Sequence, residues 1–161
     1  MLFRSVRDSR LRWPVPPEVR QAAGQTLERL DRRGKYLVLG LQNGSLIIHL
    51  GMSGSLRIVD QDPEPRKHDH FDIEMADGTC LRFNDPRRFG AFLWCQGDPA
   101  DHPLLRDLGP EPLSDDFNAR YLHTLSRGRK VAIKNFIMNG RVVVGVGNIY
   151  ARSEEHTSEL Q

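Results

Sequence analysis

The chain has 161 residues, room for one ordinary domain or a domain and part of a second. At 39% hydrophobic and 27% charged residues its composition is globular, and it has neither an apolar run long enough to span a bilayer nor a charged-then-apolar leader. A net charge of +2 says little about partners, and two cysteines without C-x-x-C spacing exclude a disulfide framework and a zinc knuckle.

The opening residues 1–19 are basic and then proline-rich, and no strand is assigned to them. PPEVRQAA starts a short helix, because proline suits a first turn and Glu18 favours the positive end of the dipole. Residues 26–33 are ambiguous: Leu27 and Leu30 suit a helix, whereas the following hairpin suits an edge strand. Residues 35–41 (KYLVLGL) and 45–50 (SLIIHL) read as strands joined by an Asn-Gly hairpin signal. Further strands are predicted over 55–59, 70–76, 79–84 and 91–95, with Asp77-Gly78 as a second hairpin turn. Cys80 and Cys95 fall in these apolar runs and read as buried thiols of a reducing compartment. Many short strands separated by turn signals point to a sandwich or barrel.

After Gly97 the texture changes. Four prolines (99, 103, 110 and 112) punctuate a connector, and the β domain ends between residues 97 and 110. LSDDFNARYLHTLSR predicts a helix with Ser114 as N-cap and Asp115 and Asp116 in its first turn. Residues 131–138 predict another short helix. From Phe117 to Ala151 there is no Asp or Glu, yet Arg120, Arg127, Arg129, Lys130, Lys134 and Arg141 all fall there. Such a stretch either attracts a polyanion or forms a solvated helix face. Residues 152–161 (RSEEHTSELQ) abruptly restore acid. They resemble read-through of a sequencing adapter and are set aside from the fold as a foreign tail.

Several positions could carry chemistry. Met52 lies between glycines in HLGMSGSLRI and is either a core gap-filler, the stronger reading on the residues alone, or an exposed apolar probe. In KHDHFDI, strand periodicity puts His68 and His70 on one face. A metal site would need a third ligand that is not apparent, so a phosphate contact or an Asp–His hydrogen bond is favoured. NDPRRFG, residues 84–90, places Arg87, Arg88 and Phe89 on a turn. A surface turn gains little from the ring. A loop entering a nucleic acid would use the guanidinium forks on phosphate or base edges and the ring as a wedge. GVGNIY lacks the third glycine of a dinucleotide loop and reads better as a turn into a helix that faces an anion, with Asn148 at or near the cap.

Taken in order, LRWPV, RGKYLVL, IIHLGMSGSLRI, KHDHFDI, NDPRRFGAFLW, LGPEPLSDDFNARYLH and VVVGVGNIYA resemble one family, the bacterial formamidopyrimidine-DNA glycosylases. The resemblance runs from about Arg10 to Ala151. It implies an α+β fold: an N-terminal antiparallel β-sandwich (residues 1–97, incomplete), then the start of a helical helix-two-turn-helix domain (98–151). It implies a bifunctional glycosylase and abasic-site lyase that removes oxidised purines in base-excision repair. The expected partner is double-stranded DNA carrying such lesions, met by a monomer in the bacterial cytoplasm.

By position Lys35 matches the family's catalytic-site lysine, which acts as a proton donor in β-elimination near the lesion phosphate. Met52, Arg87 and Phe89 match the trio that fills the hole left by the extruded nucleotide. His68, Arg87 and Arg129 match DNA-contacting positions, and Asn148 matches a phosphate-binding asparagine. The family's nucleophilic N-terminal proline, its neighbouring glutamate, its first strand and helix, and its C-terminal four-cysteine zinc finger have no counterpart here. The chain alone is therefore expected to lack a metal cofactor, to be catalytically inactive and to leave a sandwich edge unpaired. Asn135 replaces a usual proline, and Asn139-Gly140 replaces an acidic turn. The alternatives are a damaged-DNA-binding module without chemistry and an endonuclease VIII-type enzyme for oxidised pyrimidines.

Overall fold

The computed structural model describes residues 2–59 and 64–151; the stretch read as a foreign tail lies outside them. The chain divides into two compact units between His102 and Pro103.

Eight strands form the first unit: β1 (Leu2–Val6), β2 (Leu27–Arg33), β3 (Tyr36–Leu41), β4 (Gly44–His49), β5 (Ser55–Val59), β6 (Asp69–Glu74), β7 (Cys80–Asn84) and β8 (Ala91–Cys95). They make two antiparallel four-stranded sheets, ordered β1-β6-β7-β5 and β2-β3-β4-β8. The ambiguous segment at 26–33 is thus an edge strand, exposed along most of its length and held by its register on β3. The opening residues, to which the sequence assigned no strand, form β1 on the outer side of β6. The edge expected to be unpaired there is covered. Short and non-alternating, that segment lacks the period-2 signal of a strand, and it is defined instead by the backbone groups β6 offers.

The sheets meet through apolar side chains. Phe71 of β6 stacks on Phe83 of the same sheet (4.8 Å between centroids) and on Phe92 of the other (3.8 Å). Leu39, Leu46, Ile48 and Ile73 complete the layer, and Leu11, Val15, Val19 and Ala22 from the loop and 3-10 turn after β1 join it. The β3–β4 hairpin falls where Asn43-Gly44 placed it, but Gln42 and Asn43 are the loop and Gly44 begins β4. A Cβ at Gly44 would lie 2.5 Å from the Trp94 ring.

Beneath the aromatic layer is a buried ion network. Arg82, 1% exposed, donates to both oxygens of Asp72 at 2.9 Å. Arg7 also bonds Asp72, and Arg57 reaches Asp69 at 3.2 Å. Burial works against the charged form of Asp72, but the guanidinium hydrogen bonds of Arg7 and Arg82 more than offset it and hold the carboxyl below its usual range.

The second unit contains α1 (Ala119–Ser126), α2 (Ile133–Ile137) and α3 (Asn148–Ala151). Phe136, Val142 and Val143 form its core, with Phe117, Leu122 and Leu125 against them. The cap of α1 is Asn118, not Ser114: the Asn118 side chain accepts from the Tyr121 amide at 3.0 Å. Ser114 instead donates its hydroxyl to the Glu111 carbonyl and closes a preceding turn. Asn139 ends the segment after α2 by accepting from the Arg141 amide. No helix among the described residues is long and apolar enough to cross a membrane.

Removing one partner of a buried ion pair strands the other in a site without water. Arg82→Ala is expected to cost about 3–5 kcal/mol, read as a lower urea midpoint. Arg57→Ala, at a half-exposed guanidinium, should cost far less.

Candidate nucleic-acid interface

Five of the side chains singled out in the sequence line one cavity of the first unit. Lys35, Met52, Arg87, Arg88 and Phe89 share it with Arg12 and His49, and its volume is about 610 Å³. Lys35 lies in the two-residue β2–β3 turn, after Gly34. Met52 tips the turn between β4 and β5, and Arg87 to Phe89 form the loop between β7 and β8. Three connections at one end of the sandwich therefore converge.

Met52 is 69% exposed and Phe89 37% exposed. The gap-filler reading of Met52 is thus corrected: Gly51, with φ +67°, turns the chain away from the core before the thioether can enter it. A Cβ at Gly51 would lie 2.6 Å from the Phe89 carbonyl carbon, so the two loops touch backbone to backbone. The Arg87 guanidinium lies over the Phe89 ring, 4.7 Å from its centroid, and fork and ring form one stacked projection. Arg88 points elsewhere. Its φ of +59° is uncommon for a residue with a side chain, and its guanidinium bonds Asp8 at 2.7 Å. Hydrogen bonds from Arg10, helped by its charge and that of Arg88, hold the Asp8 carboxyl at about 2.

His49 and Arg12 were not singled out in the sequence. The β3–β4 register sets His49 opposite Tyr36, next to Lys35, with the two rings 4.7 Å apart. That pairing was the available signal, since a hairpin register turns Lys35 into an address for its neighbours. His49 Nδ1 accepts from the Gly51 amide at 3.0 Å, so the neutral ring carries its proton on Nε2. Burial, then the charges of Lys35 and Arg12, push its pKa below the ordinary value.

His68 does not line this cavity. Its φ is +73° in the turn before β6, so the period-2 alternation breaks there and His68 and His70 do not share a face. His70 is buried and donates Nε2–H to the Asp85 carbonyl at 2.8 Å. Arg129 and Asn148 belong to the second unit; both are exposed, and Asn148 is the first residue of α3. Among the described residues no group of three or more His, Cys, Asp or Glu is placed to hold a metal ion. Cys80 and Cys95 are buried in strands of different sheets and do not fit a zinc site.

What converges here is an apolar probe, a stacked fork and ring, and a cluster of cationic and neutral N–H donors. Residues 3–92 match the formamidopyrimidine-DNA glycosylase N-terminal domain, and residues 108–156 match the H2TH domain of the same enzymes. The chain belongs to the formamidopyrimidine-DNA glycosylase family. It is 58% identical over 147 residues to the formamidopyrimidine-DNA glycosylase of Thioalkalivibrio sulfidiphilus, covering 91% of this chain and 54% of that protein. It is 53% identical over 155 residues to that of Vibrio cholerae serotype O1, covering 96% and 57%. The chain thus spans about half the length of the curated glycosylases it matches. Among solved structures it resembles the Lactococcus lactis enzyme bound to abasic-site DNA, with a TM-score of 0.81 and 29% identity over 91% of this chain and 55% of that one. The complex of that enzyme with DNA containing FAPY-dG gives a TM-score of 0.74 and 32% identity over 81% and 49%.

A lowered histidine pKa has a signed consequence. The stability tied to neutral His49 is complete above the ordinary histidine value of about 6.5 and is lost as pH falls through the lowered folded value. His49→Gln should flatten that part of the profile, checked by urea unfolding at about pH 8 and about pH 5. An equally steep loss in the variant would assign the sensitivity to another group.

Proposed function

We propose that the whole protein is a DNA glycosylase that excises oxidised purines in base-excision repair, with an abasic-site lyase activity, and that this chain carries its lesion-recognition machinery. The observation that carries this reading is the exposed Met52, Arg87 and Phe89 trio on the rim of a cavity edged by Lys35, His49 and Arg12.

Extruding a nucleotide costs a few kcal/mol of pairing and stacking. An oxidised purine barely lowers that cost, so the protein must offset it. Phe89 and Met52 supply apolar surface in place of the lost stacking neighbour. Arg87, held by its stack on Phe89, offers two parallel N–H groups to the base left unpaired. Lys35, Arg12 and the His49 Nε2–H face the phosphates on either side of the lesion. Lys35 also serves as proton donor in the elimination step. In the second unit, Arg129 and Asn148 grip the backbone within a stretch free of acid. The described residues do not fit the family's structural zinc, whose site we assign to the portion of the protein beyond them. The protein acts on chromosomal DNA in the bacterial cytoplasm.

In the full-length protein, borohydride should trap a covalent complex with 8-oxoguanine DNA. Absence of a trapped species with 8-oxoguanine DNA, alongside one with an oxidised-pyrimidine duplex, would move the protein to the other specificity. No trapping with either duplex would leave a binding module. Phe89→Ala should weaken binding to an abasic duplex about tenfold, in keeping with the worth of one base–aromatic stack, and change undamaged-duplex binding less than about twofold. Equal losses on both duplexes would return Phe89 to a purely structural part.

A further inference from the structure

Resting on that reading, we infer that Ser53 and Asp85 form a positioning pair that sets the Met52 turn and the Arg87–Phe89 loop as one rigid wedge. Neither side chain faces the DNA in this assignment. Asp85 is fully buried. One of its side-chain oxygens accepts the Ser53 hydroxyl at 2.6 Å, and the other accepts the Gly90 amide at 2.8 Å. The Ser53 oxygen in turn accepts the Arg87 amide at 3.3 Å. One carboxyl thus closes a ring of hydrogen bonds through the residue after Met52, the amide of Arg87 and the residue after Phe89.

The Asp85 backbone extends the same tie. Its N–H donates to the His68 carbonyl at 3.0 Å, and its carbonyl accepts from the His70 ring and from the Arg88 amide. The left-handed residue His68 is therefore fixed to the same hub as the wedge. Two glycines leave no slack. A Cβ on Gly90 would meet the Phe83 ring at 2.6 Å and an Asp85 oxygen at 3.2 Å, and one on Gly51 would meet the Phe89 backbone. A wedge assembled from separate loops must be rigid before it meets the duplex, because ordering it on binding would subtract from the stacking it replaces. A charged acceptor in a dry site is suited to that task.

The test uses the full-length protein with two duplexes, one undamaged and one carrying a tetrahydrofuran abasic analogue. Affinity is read by anisotropy, and insertion by a 2-aminopurine opposite the gap. Ser53→Ala should lower the preference for the abasic duplex by about tenfold, the usual worth of a hydrogen bond to a charged group, with undamaged binding changed less than about twofold. Ser53→Thr keeps the hydroxyl and should restore the preference. In a double-mutant cycle, the coupling between Met52→Ala and Phe89→Ala should be present in the wild-type background and vanish with Ser53→Ala. Asp85→Asn can keep an oxygen on the Gly90 N–H, but it removes the charge and replaces the acceptor for the Ser53 hydroxyl with a donor; it should lower the preference in the same direction, and if it does not fold, the Ser53 variants decide. Coupling that survives Ser53→Ala, or equal losses on both duplexes, would overturn the inference alone. A wild-type full-length protein without preference for the abasic duplex would reject the proposed function, and this inference with it.

Discussion

The loops at the cavity end of the first unit are tied together by one buried carboxyl. The β2–β3 turn is closed by its own ladder, but the longer β4–β5 and β7–β8 loops have none to hold them. Asp85 supplies the missing order: side-chain oxygens for two loops, a backbone N–H for a third segment, and a carbonyl for His70 beneath. A buried polar group is costly when unpaired and rigid when fully paired. With its acceptors filled, Asp85 turns that penalty into a fixed geometry for side chains that project into solvent.

Charge is sorted with depth. On the face of the β1-β6-β7-β5 sheet opposite its aromatic core, acids and arginines occur together: Arg82 is clasped by Asp72, and Arg7 and Arg57 complete the network at its margin. At the mouth of the cavity the cations Lys35, Arg12 and Arg87 line the surface, with Asp8 turned to Arg10 and Arg88. The neighbouring arginines of NDPRRFG divide along this line. Arg87 stays with the ring and the cavity, and Arg88 is drawn off by Asp8. A one-signed rim over a neutralised interior suits a polyanion, because attraction falls on the ligand and not on the core.

Much of the fold could be read in the sequence, and the misses share a cause. The strands at 55–59 and 91–95 emerge with the predicted bounds, and most others shift by a residue or two, since alternation and turn residues are local signals. β1 was missed because its partner lies some seventy residues away and its own pattern is mute. The α1 cap moved from Ser114 to Asn118, both good capping residues; Glu111 had already engaged the serine. At the site, Arg87 and Phe89 were visible as loop residues whose chemistry a bare surface would not reward, whereas Met52 read on its own as core and joined them only through the family resemblance. His49 needed the sheet register, Arg12 needed the fold of the loop after β1, and the Ser53–Asp85 bond needed two loops thirty-two residues apart in sequence to be brought together.

The backbone-to-backbone approach of Gly51 to Phe89, with Gly90 filled on every side, divides this region into parts that tolerate change and parts that do not. A new side chain at 52, 87 or 89 alters only what protrudes. A single methyl at 51 or 90 moves the frame itself. The cavity rim therefore carries three adjustable tips on an unyielding mount, and its chemistry can be swapped while its handle is left untouched.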